Sequence, residues 1–511
     1  MDDQSQAAVL DLLSSPDTHG GQAPQRIDTH ISAVFLVGER AYKLKKAVRL
    51  PFLDFSTLES RRVACEAEVA INRRAAPDLY LGVTPVVRTA SGGLALGGEG
   101  EAVDYVVTMR RFADEARLDQ VLAIGAVDRP LINRLTDEVV RFHREAPVRN
   151  DCGGAATIAW VIANNAETMA PFVPDLLPAA PVAALAEQSR AWFERLASLL
   201  DQRRDAGLVR QCHGDLHLGN ICLLNGKPVL FDAIEFSETL SCIDIAYDFA
   251  FLLMDMDARG ARPFASMAMN HALDLSGDYQ SVALMPLFLS LRAGVRAMVA
   301  AATASIAEEG ERIRKEAEAR SYLDAALTYL HPPPPRLVAI GGLSGSGKSR
   351  MSRMLAPLLG VPGAAVVRSD AVRKRLMGVG LSERLGTDGY ARDVTRRTYD
   401  TLYGACAEVL VAGGVAIADA VFADPAERDA IERVARQAEV PFTGLWLEVA
   451  PDQAAERLAR RAAAGTDASD ATIMVLERQR AYDPGQIAWT RIDTGGASEA
   501  ALGEAKAVLG V

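Results

Sequence analysis

The segment that most constrains this chain of 511 residues is a glycine-rich stretch at 342–349, with the sequence GLSGSGKS. It fits the pattern G-x-x-x-x-G-K-[ST] and lies between an apolar run at 336–340 and a helical pattern at 350–359. Backbone N–H groups in such a strand-to-helix turn converge on phosphate oxygens, and the helix N-terminus adds partial positive charge. The stretch therefore predicts a phosphate-binding loop at the edge of a parallel α/β sheet.

Within this loop, Lys348 is expected to reach the β- and γ-phosphates of ATP, and Ser349 is expected to bind Mg²⁺. The predicted nucleotide-binding residues here are Gly342, Ser344, Gly345, Ser346, Gly347, Lys348 and Ser349. A second buried strand, at 415–422, contains Asp419, which is a candidate to orient Mg²⁺ or a water. A capped turn at the strand end is the structural alternative for Asp419.

Two further groups in this part of the chain suit phosphoryl transfer. A short apolar strand is predicted to end at Asp370, a candidate base for a substrate hydroxyl, and Arg373 follows one turn later to hold the substrate. Capping of a helix is the alternative role for Asp370. Arg457 and Arg461 share a helix face and predict either a lid over the transferring phosphate or a solvated basic face.

Residues 336–511 resemble the P-loop small-molecule kinases related to gluconate, shikimate and polynucleotide kinases. The loop at 342–349, the Asp370-x-x-Arg373 pair and the two lid arginines carry this resemblance. It implies ATP-dependent phosphoryl transfer in which Asp370 is the base and Lys348 acts on the phosphates.

A second kinase pattern lies upstream, at residues 211–232. The triplet His213-Gly214-Asp215 is followed by Asn220, and a short apolar strand then ends in Asp232. In a kinase catalytic loop, groups in this order have set roles: Asp215 accepts the proton of the acceptor hydroxyl, while Asn220 and Asp232 hold Mg²⁺. His213 is expected to brace the loop.

A kinase fold also needs a strand lysine paired with a helix glutamate. Residues 34–46 predict a hairpin on which Lys43 and Lys45 face the same side; Lys43 is preferred and Lys45 is the alternative. The predicted helix at 57–74 offers Glu66 and Glu68, of which Glu68 is preferred.

Residues 105–112 predict a strand that runs into an interlobe hinge, where backbone groups near Met109 and Arg111 are expected to bind adenine. Together with the upstream motif, these features make residues 27–300 similar to the aminoglycoside phosphotransferase family, within the protein-kinase-like fold. The resemblance implies a bilobal α+β fold and transfer of phosphate to small hydroxyl compounds. Asp244 and Asp248 resemble a downstream turn of that family and are expected to have a structural role that includes bracing of the catalytic loop.

Four consecutive prolines at 332–335 interrupt the chain, because such a run favours stiff, extended polyproline II. The predicted organisation is an N-terminal protein-kinase-like α+β bilobal domain at 1–331, a proline linker at 332–335, and a C-terminal α/β P-loop domain with a parallel sheet at 336–511.

Composition narrows the class of protein further. The hydrophobic fraction of 49% excludes global disorder, and the net charge of -11 argues against nucleic acid and anionic membranes as partners. The six cysteines contain no CxxC pair, which argues against a zinc site. The N-terminus lacks a signal-peptide pattern, and the apolar stretch at 284–307 contains Arg292 and Arg296, as expected of a core helix. We therefore expect a cytoplasmic protein.

The sequence favours a bifunctional ATP-dependent kinase that uses Mg²⁺ and phosphorylates small metabolites, sugars or sugar acids, at both sites. A regulatory protein that senses nucleotide without turnover is one alternative. A polynucleotide 5′-hydroxyl kinase in the C-terminal domain is the other, since polynucleotide kinases share the Asp370-x-x-Arg373 pattern.

Overall fold

The computed structural model describes residues 3–50, 53–464, 473–480 and 484–511. By packing, the chain forms two compact units, Met1–Ile158 with Ala197–Leu252 and Ala159–Leu196 with Leu253–Val511. This division does not coincide with the proline run, and the domain boundaries at 331–336 stay a prediction.

The first part of the chain folds mainly as an antiparallel sheet. Its elements are α1 (Asp3–Ser14), β1 (Gln25–Asp28), β2 (Ser32–Val37), β3 (Arg40–Lys45), β4 (Arg49–Leu50), β5 (Leu53–Asp54), α2 (Leu58–Asn72), β6 (Tyr80–Arg88), β7 (Leu94–Leu96), β8 (Glu101–Arg110), α3 (Leu118–Ala123) and α4 (Arg129–Glu145). Six strands pair in the order β1-β2-β3-β8-β6-β7. The predicted hairpin is β2–β3, with Val34 opposite Lys43.

Helix α2 begins at a capping box, because the side chains of Thr57 and Ser60 each accept from the other's backbone N–H. Its buried face packs on β8 through Cys65, Val69 and Val107. Glu68 lies on the same face and is fully buried. The amphipathic helix therefore carries a carboxylate to the sheet.

The next elements along the chain precede and follow the predicted catalytic loop in sequence. They are α5 (Gly154–Met169), α6 (Ala179–Asp205), β9 (Val209–Gln211), β10 (Ile221–Leu224), β11 (Lys227–Leu230), α7 (Glu238–Ser241), β12 (Cys242–Asp244) and α8 (Ile245–Ala258). Strand β9 pairs with β12 and β10 pairs with β11, both antiparallel. The segment 212–220 is thus held between two short strand pairs.

Three helices follow: α9 (Arg262–Ser276), α10 (Met285–Ile306) and α11 (Glu309–Tyr329). Among the described residues, α10 is the one helix long and apolar enough to cross a membrane, and 67% of its most apolar window is buried inside the protein. Arg296 of α10 lies against the ring of Tyr322 of α11. This packing fits the core helix predicted from the interrupting arginines.

The remaining elements form the predicted α/β sheet. They are β13 (Leu337–Gly341), α12 (Lys348–Leu359), β14 (Ala365–Arg368), α13 (Ser369–Leu376), α14 (Arg392–Val411), β15 (Ala416–Asp419), α15 (Pro425–Gln437), β16 (Phe442–Glu448), α16 (Pro451–Ala464), α17 (Ile473–Arg480), β17 (Thr490–Asp493) and α18 (Ser498–Leu509). Five strands pair in the order β14-β15-β13-β16-β17, and all four pairings are parallel. The prediction of a parallel sheet is therefore confirmed.

The parallel register brings the ends of three strands to one edge. Asp419 at the end of β15 lies opposite Ile340 on one side and Arg368 on the other. The glycine-rich loop leaves β13 at this same carboxyl edge, which is where open α/β sheets bind ligands.

A buried ion pair between Arg203 and Asp244 is expected to stabilise the fold. Arg203 of α6 donates to both carboxylate oxygens of Asp244, from Nε at 2.7 Å and from Nη2 at 3.0 Å, and both side chains are buried. The substitution Asp244→Ala leaves a buried guanidinium without its carboxylate, so we expect the free energy of unfolding to fall by about 3–5 kcal/mol.

Denaturant unfolding of the full chain measures this loss. Arg62→Ala is the matched control, since Arg62 pairs with Glu59 and Glu66 on the exposed side of α2 and should cost roughly 1 kcal/mol or less. Equal losses in the two variants would contradict the importance assigned to the buried pair.

Candidate active sites

A buried carboxylate holds the start of the predicted catalytic loop. Asp248 of α8 is fully buried, and its two oxygens accept from the amide N–H groups of Gly214 at 2.8 Å and His213 at 3.1 Å. His143 of α4 lies 2.8 Å from the same carboxylate through Nε2. Asp248 thereby fixes the backbone just before Asp215, in line with the bracing role expected for it.

The side chain of Asp215 is oriented and still accessible. Asn220 donates from Nδ2 to the Asp215 carboxylate at 2.9 Å and to its backbone carbonyl at 3.0 Å. His217 lies 3.5 Å from the same carboxylate, and the Asp215 side chain is 39% exposed. An acceptor hydroxyl can therefore approach a carboxylate whose direction is already set.

Hydrogen bonds join this loop to the segment after β11. His213 lies 2.9 Å from the carbonyl of Phe231 through Nε2, and the Phe231 amide donates to the carbonyl of Asn220 at 3.0 Å. Burial lowers the pKa of His213, so the imidazole is neutral near pH 7. The loop and the strand end that precedes Asp232 are thus one hydrogen-bonded structure.

Asp232 adopts a backbone conformation that few residues with a side chain take. Its φ is +63°, in the left-handed region, and its amide donates to the hydroxyl of Tyr80 at 3.0 Å. Such strain persists where surrounding contacts impose it, and it is frequent at functional sites. Here it places the Asp232 carboxylate beside Lys43.

Lys43 lies between two carboxylates, as the preferred pairing predicts. Its Nζ is 2.9 Å from Glu68 Oε1 and 2.6 Å from Asp232 Oδ1. Burial opposes the ammonium charge, but Asp232 and Glu68 outweigh it and raise the pKa of Lys43. Burial likewise opposes the Glu68 charge, yet Lys43 and Lys45 lower the pKa of Glu68 to about 2. Lys43 and Glu68 are therefore both ionised at neutral pH.

Lys45 belongs to the same network, so the two lysines are not exclusive alternatives. Lys45 Nζ lies 2.6 Å from Glu68 Oε2 and also contacts the carboxylate of Glu235. Its side chain is 1% exposed, whereas that of Lys43 is 14% exposed. Glu66 instead pairs with Arg62 on the surface. Glu235 was not predicted, and its one local signal is its position three residues after Asp232.

The structure restricts the predicted adenine contacts. Met109 lies in β8 opposite Ala41 on one side and Tyr80 on the other. The amide of Arg111 already donates to the carbonyl of Glu39 at 2.8 Å. An adenine contact through that amide would require this bond to open, and the assignment of Met109 and Arg111 stays a prediction.

The glycine-rich loop has the backbone that its sequence requires. Gly342, Gly345 and Gly347 have φ values of +136°, +84° and +93°, and a Cβ on Gly342 would clash with the carbonyl of Leu447. Lys348 Nζ donates back to the carbonyls of Gly342 at 2.8 Å and Leu343 at 3.0 Å. The ammonium group therefore lies at the mouth of the loop, where phosphates would bind.

Asp419 has the features of a cation ligand. Its carboxylate is buried, and Oδ2 has no hydrogen-bond partner among the described residues. Burial raises the pKa of Asp419, while Arg368, Lys348 and a hydrogen bond from Ser349 oppose this rise. A hydroxyl beside a buried carboxylate with an oxygen to spare fits Mg²⁺, which prefers oxygen ligands. The residues predicted for the second metal site are thus adjacent.

The pair Asp370 and Arg373 lies on α13, not at a strand end as the sequence suggested. Strand β14 ends at Arg368, which occupies the N-cap position of α13, and Asp370 lies in the first turn, so the alternative of Asp370 as the N-cap residue is wrong. Arg373 is buried and donates to the carbonyl of Gly389 at 2.8 Å and to Thr395 Oγ1 at 3.1 Å. Its Nε has no partner among the described residues. Arg373 thus holds both the segment before α14 and the first turn of α14.

Of the two predicted lid arginines, the structure describes the side chain of Arg457. Arg457 of α16 donates to the carbonyl of Gly345 at 3.4 Å and also contacts Thr494. Thr494 in turn donates to the carbonyl of Ser346 at 2.8 Å. Arg457 therefore braces the phosphate-binding loop in this structure. The side chain of Arg461 lies outside the described residues.

Two pairs of residues were predicted to bind metal: Asn220 with Asp232, and Ser349 with Asp419. Asn220 and Asp232 can also offer oxygen atoms to a cation. The Nδ2 group of Asn220 is used to hold Asp215, so the atom it can offer a cation is its carbonyl oxygen. Asp232 keeps one carboxylate oxygen besides the one that contacts Lys43. Both pairs of residues therefore fit a divalent cation bound with nucleotide phosphates.

Comparison with known families agrees with this geometry. Residues 30–284 match the model of the phosphotransferase enzyme family, and residues 337–484 match the model of an AAA domain. Uncharacterized proteins of Mycobacterium tuberculosis and Mycobacterium bovis are 29% identical to this chain over 487 residues, covering 94% of each chain.

Each of three matching solved structures covers one part of the chain. A choline/ethanolamine kinase family protein from Mesorhizobium loti is 14% identical and covers 64% of this chain and 99% of its own, with a TM-score of 0.37. The GDP complex of aminoglycoside 2′-phosphotransferase-IIIa has the same coverage and TM-score at 13% identity. The APS kinase CysC of Mycobacterium tuberculosis is 20% identical and covers 35% of this chain and 100% of its own, with a TM-score of 0.25.

The catalytic-loop motif, the lysine–glutamate pair and the family match fall in one segment, and the glycine-rich loop falls in the other. The chain therefore combines a domain of the phosphotransferase enzyme family, at residues 30–284, with a C-terminal P-loop kinase-like domain built on a parallel sheet.

Proposed function

We propose that this protein is a bifunctional ATP-dependent kinase, in which each domain transfers the γ-phosphate of ATP to a hydroxyl of a small metabolite such as a sugar or sugar acid. The observation that carries the proposal is the accessible Asp215 carboxylate, which accepts a hydrogen bond from Asn220 at 2.9 Å. Asp232, which follows β11, forms an ion pair with Lys43. The preorganised glycine-rich loop with Lys348 supports a second site. Both families point to phosphoryl transfer. We place the protein in the cytoplasm.

At the first site, Asp215 accepts the proton of the acceptor hydroxyl as its oxygen attacks the γ-phosphorus. The bond from that phosphorus to the β,γ-bridging oxygen breaks, and ADP leaves. Lys43 places positive charge at the phosphates and is itself held by Glu68. A divalent cation such as Mg²⁺, bound by Asn220 and Asp232, would neutralise charge on the β- and γ-phosphates.

At the second site, loop N–H groups and Lys348 hold the phosphates, and Ser349 with Asp419 forms the cation site. Asp370 serves as the base for the second acceptor, and Arg373 positions that acceptor. Phosphoryl transfer needs mainly positioning and charge stabilisation, and these groups supply both.

An acceptor screen assigns the two sites. Wild type, Asp215→Asn and Lys348→Ala are assayed for ATP consumption against sugars, sugar acids, amino alcohols, aminoglycosides and oligonucleotides. We expect one set of acceptors to lose turnover in Asp215→Asn, by about 10²–10⁴-fold for a lost general base. A different set should lose turnover in Lys348→Ala.

The screen also has a decisive negative result. If ATP binds but no acceptor stimulates turnover in wild type, the kinase proposal fails and a nucleotide-sensing role replaces it. If oligonucleotides alone are phosphorylated at the Lys348-dependent site, the small-metabolite acceptor is wrong.

We expect Lys45 of β3 to matter mainly for stability and Lys43 of β3 to matter mainly for ATP-dependent turnover. Lys45→Ala leaves Glu68 and Glu235 less compensated in a buried position, so it should reduce the free energy of unfolding by about 3–5 kcal/mol. Lys43→Ala leaves Glu68 paired with Lys45, so the fold should be disturbed less while kcat/KM for ATP falls strongly at the first site.

Thermal unfolding and ATP kinetics on both variants separate these effects. The reverse result, in which Lys43→Ala unfolds the protein and Lys45→Ala retains the fold but loses ATP-dependent turnover, would assign the phosphate-binding role to Lys45.

A further inference from the structure

Helix α9, which precedes the prolines, packs closely on the edge strand of the parallel sheet. Asn270 of α9 donates from Nδ2 to the carbonyl of Ala364 at 3.0 Å and accepts from the amide of Val366 at 2.6 Å. Its side chain thus pairs with β14 as a neighbouring strand would. Ser266, one turn earlier, leaves no room for a Cβ on Gly363. The free edge of the sheet is therefore covered by α9.

One turn beyond Asn270, α9 presents a buried carboxylate to the same strand. Asp274 Oδ2 accepts from Arg368 Nη1 at 3.1 Å, and both side chains are largely shielded from solvent. Arg368 ends β14 and occupies the N-cap position of α13. The backbone carbonyl of Asp274 also accepts from Arg375 in the last turn of α13, at 3.2 Å. Asp274 therefore contacts both ends of the helix that carries Asp370.

Arg368 lies between Asp274 and the candidate cation ligand. Its Nε is 3.9 Å from Asp419 Oδ2, beyond direct hydrogen-bond distance, while its Nη1 bonds Asp274. If the bond to Asp274 were removed, a shift of the guanidinium toward Asp419 would form a charge-assisted pair between them. An Arg368–Asp419 pair would occupy Asp419 Oδ2, the oxygen that would otherwise bind Mg²⁺.

We propose that Asp274 is a positioning residue for the P-loop site, which holds the Arg368 guanidinium away from Asp419 and so keeps that carboxylate available for Mg²⁺. This inference rests on the proposed Mg²⁺–ATP binding at the Lys348 site. It makes α9, a helix encoded before the proline run, a functional part of the domain that follows.

The test measures binding, not turnover. A fluorescent, non-hydrolysable ATP analogue is titrated with Mg²⁺ on the full chain, in an Asp232→Asn background that weakens the first site. The signal of interest is the part lost on Lys348→Ala. We expect Asp274→Asn to raise the Mg²⁺ concentration for half-maximal binding by roughly tenfold or more, as for loss of a hydrogen bond between charged groups.

Two further variants separate positioning from folding. Asn270→Ala is the matched control, because it weakens the docking of α9 on β14 but touches neither Arg368 nor Asp419; it should lower Tm and leave the Mg²⁺ midpoint unchanged. The double variant Asp274→Asn/Arg368→Gln removes both charges, and we expect its midpoint to return to near that of the background.

Three results would overturn the inference. The first is that Asp274→Asn keeps the Lys348-dependent signal and does not change the Mg²⁺ concentration for half-maximal binding of the ATP analogue. The second is an equal rise in Asn270→Ala, which would reduce Asp274 to general docking. The third is a double variant as impaired as Asp274→Asn. Loss of any Lys348-dependent signal in the background itself would instead refute the proposed function of the site, and this inference with it.

Discussion

In both halves of the chain a largely buried lysine or arginine lies between two carboxylates. In each half, one of these carboxylates is a candidate ligand for Mg²⁺. Lys43 contacts both Glu68 and Asp232, whereas Arg368 bonds Asp274 and lies 3.9 Å from Asp419. Charges removed from water are tolerated only when they are paired. The network thus holds its members in place before nucleotide arrives, so little reorganisation is needed at the moment of transfer.

The two candidate sites meet the same electrostatic demand with different backbones. The first uses side chains to shape its loop: Asp248 accepts from two successive amides and Asn220 turns the Asp215 carboxylate. The second uses glycines in left-handed conformations, so that backbone N–H groups and the start of α12 serve the phosphates. The first loop lies between two short antiparallel strand pairs, and the second leaves a strand of the parallel sheet.

Groups close together in the sequence were predictable, because local spacing fixes their geometry. The glycine-rich loop, the order of Asp215 and Asn220, and the parity of Lys43 and Lys45 all follow from short stretches. Residues that complete the sites from afar, such as Glu235 and Asp274, were not predicted, since they are 190 residues from Lys45 and 94 residues from Arg368. The position of Asp370 within α13 was also missed, because the strand ends two residues earlier than predicted, at Arg368.

A chain with two independent nucleotide sites binds two nucleotides, and the binding stoichiometry measures that number. Equilibrium dialysis with a non-hydrolysable ATP analogue and Mg²⁺ gives the number bound per chain. We expect two nucleotides per chain in wild type, and one each in Lys348→Ala and Asp232→Asn at concentrations that saturate the intact site. A single nucleotide per chain in wild type would contradict it, as would loss of both by either substitution.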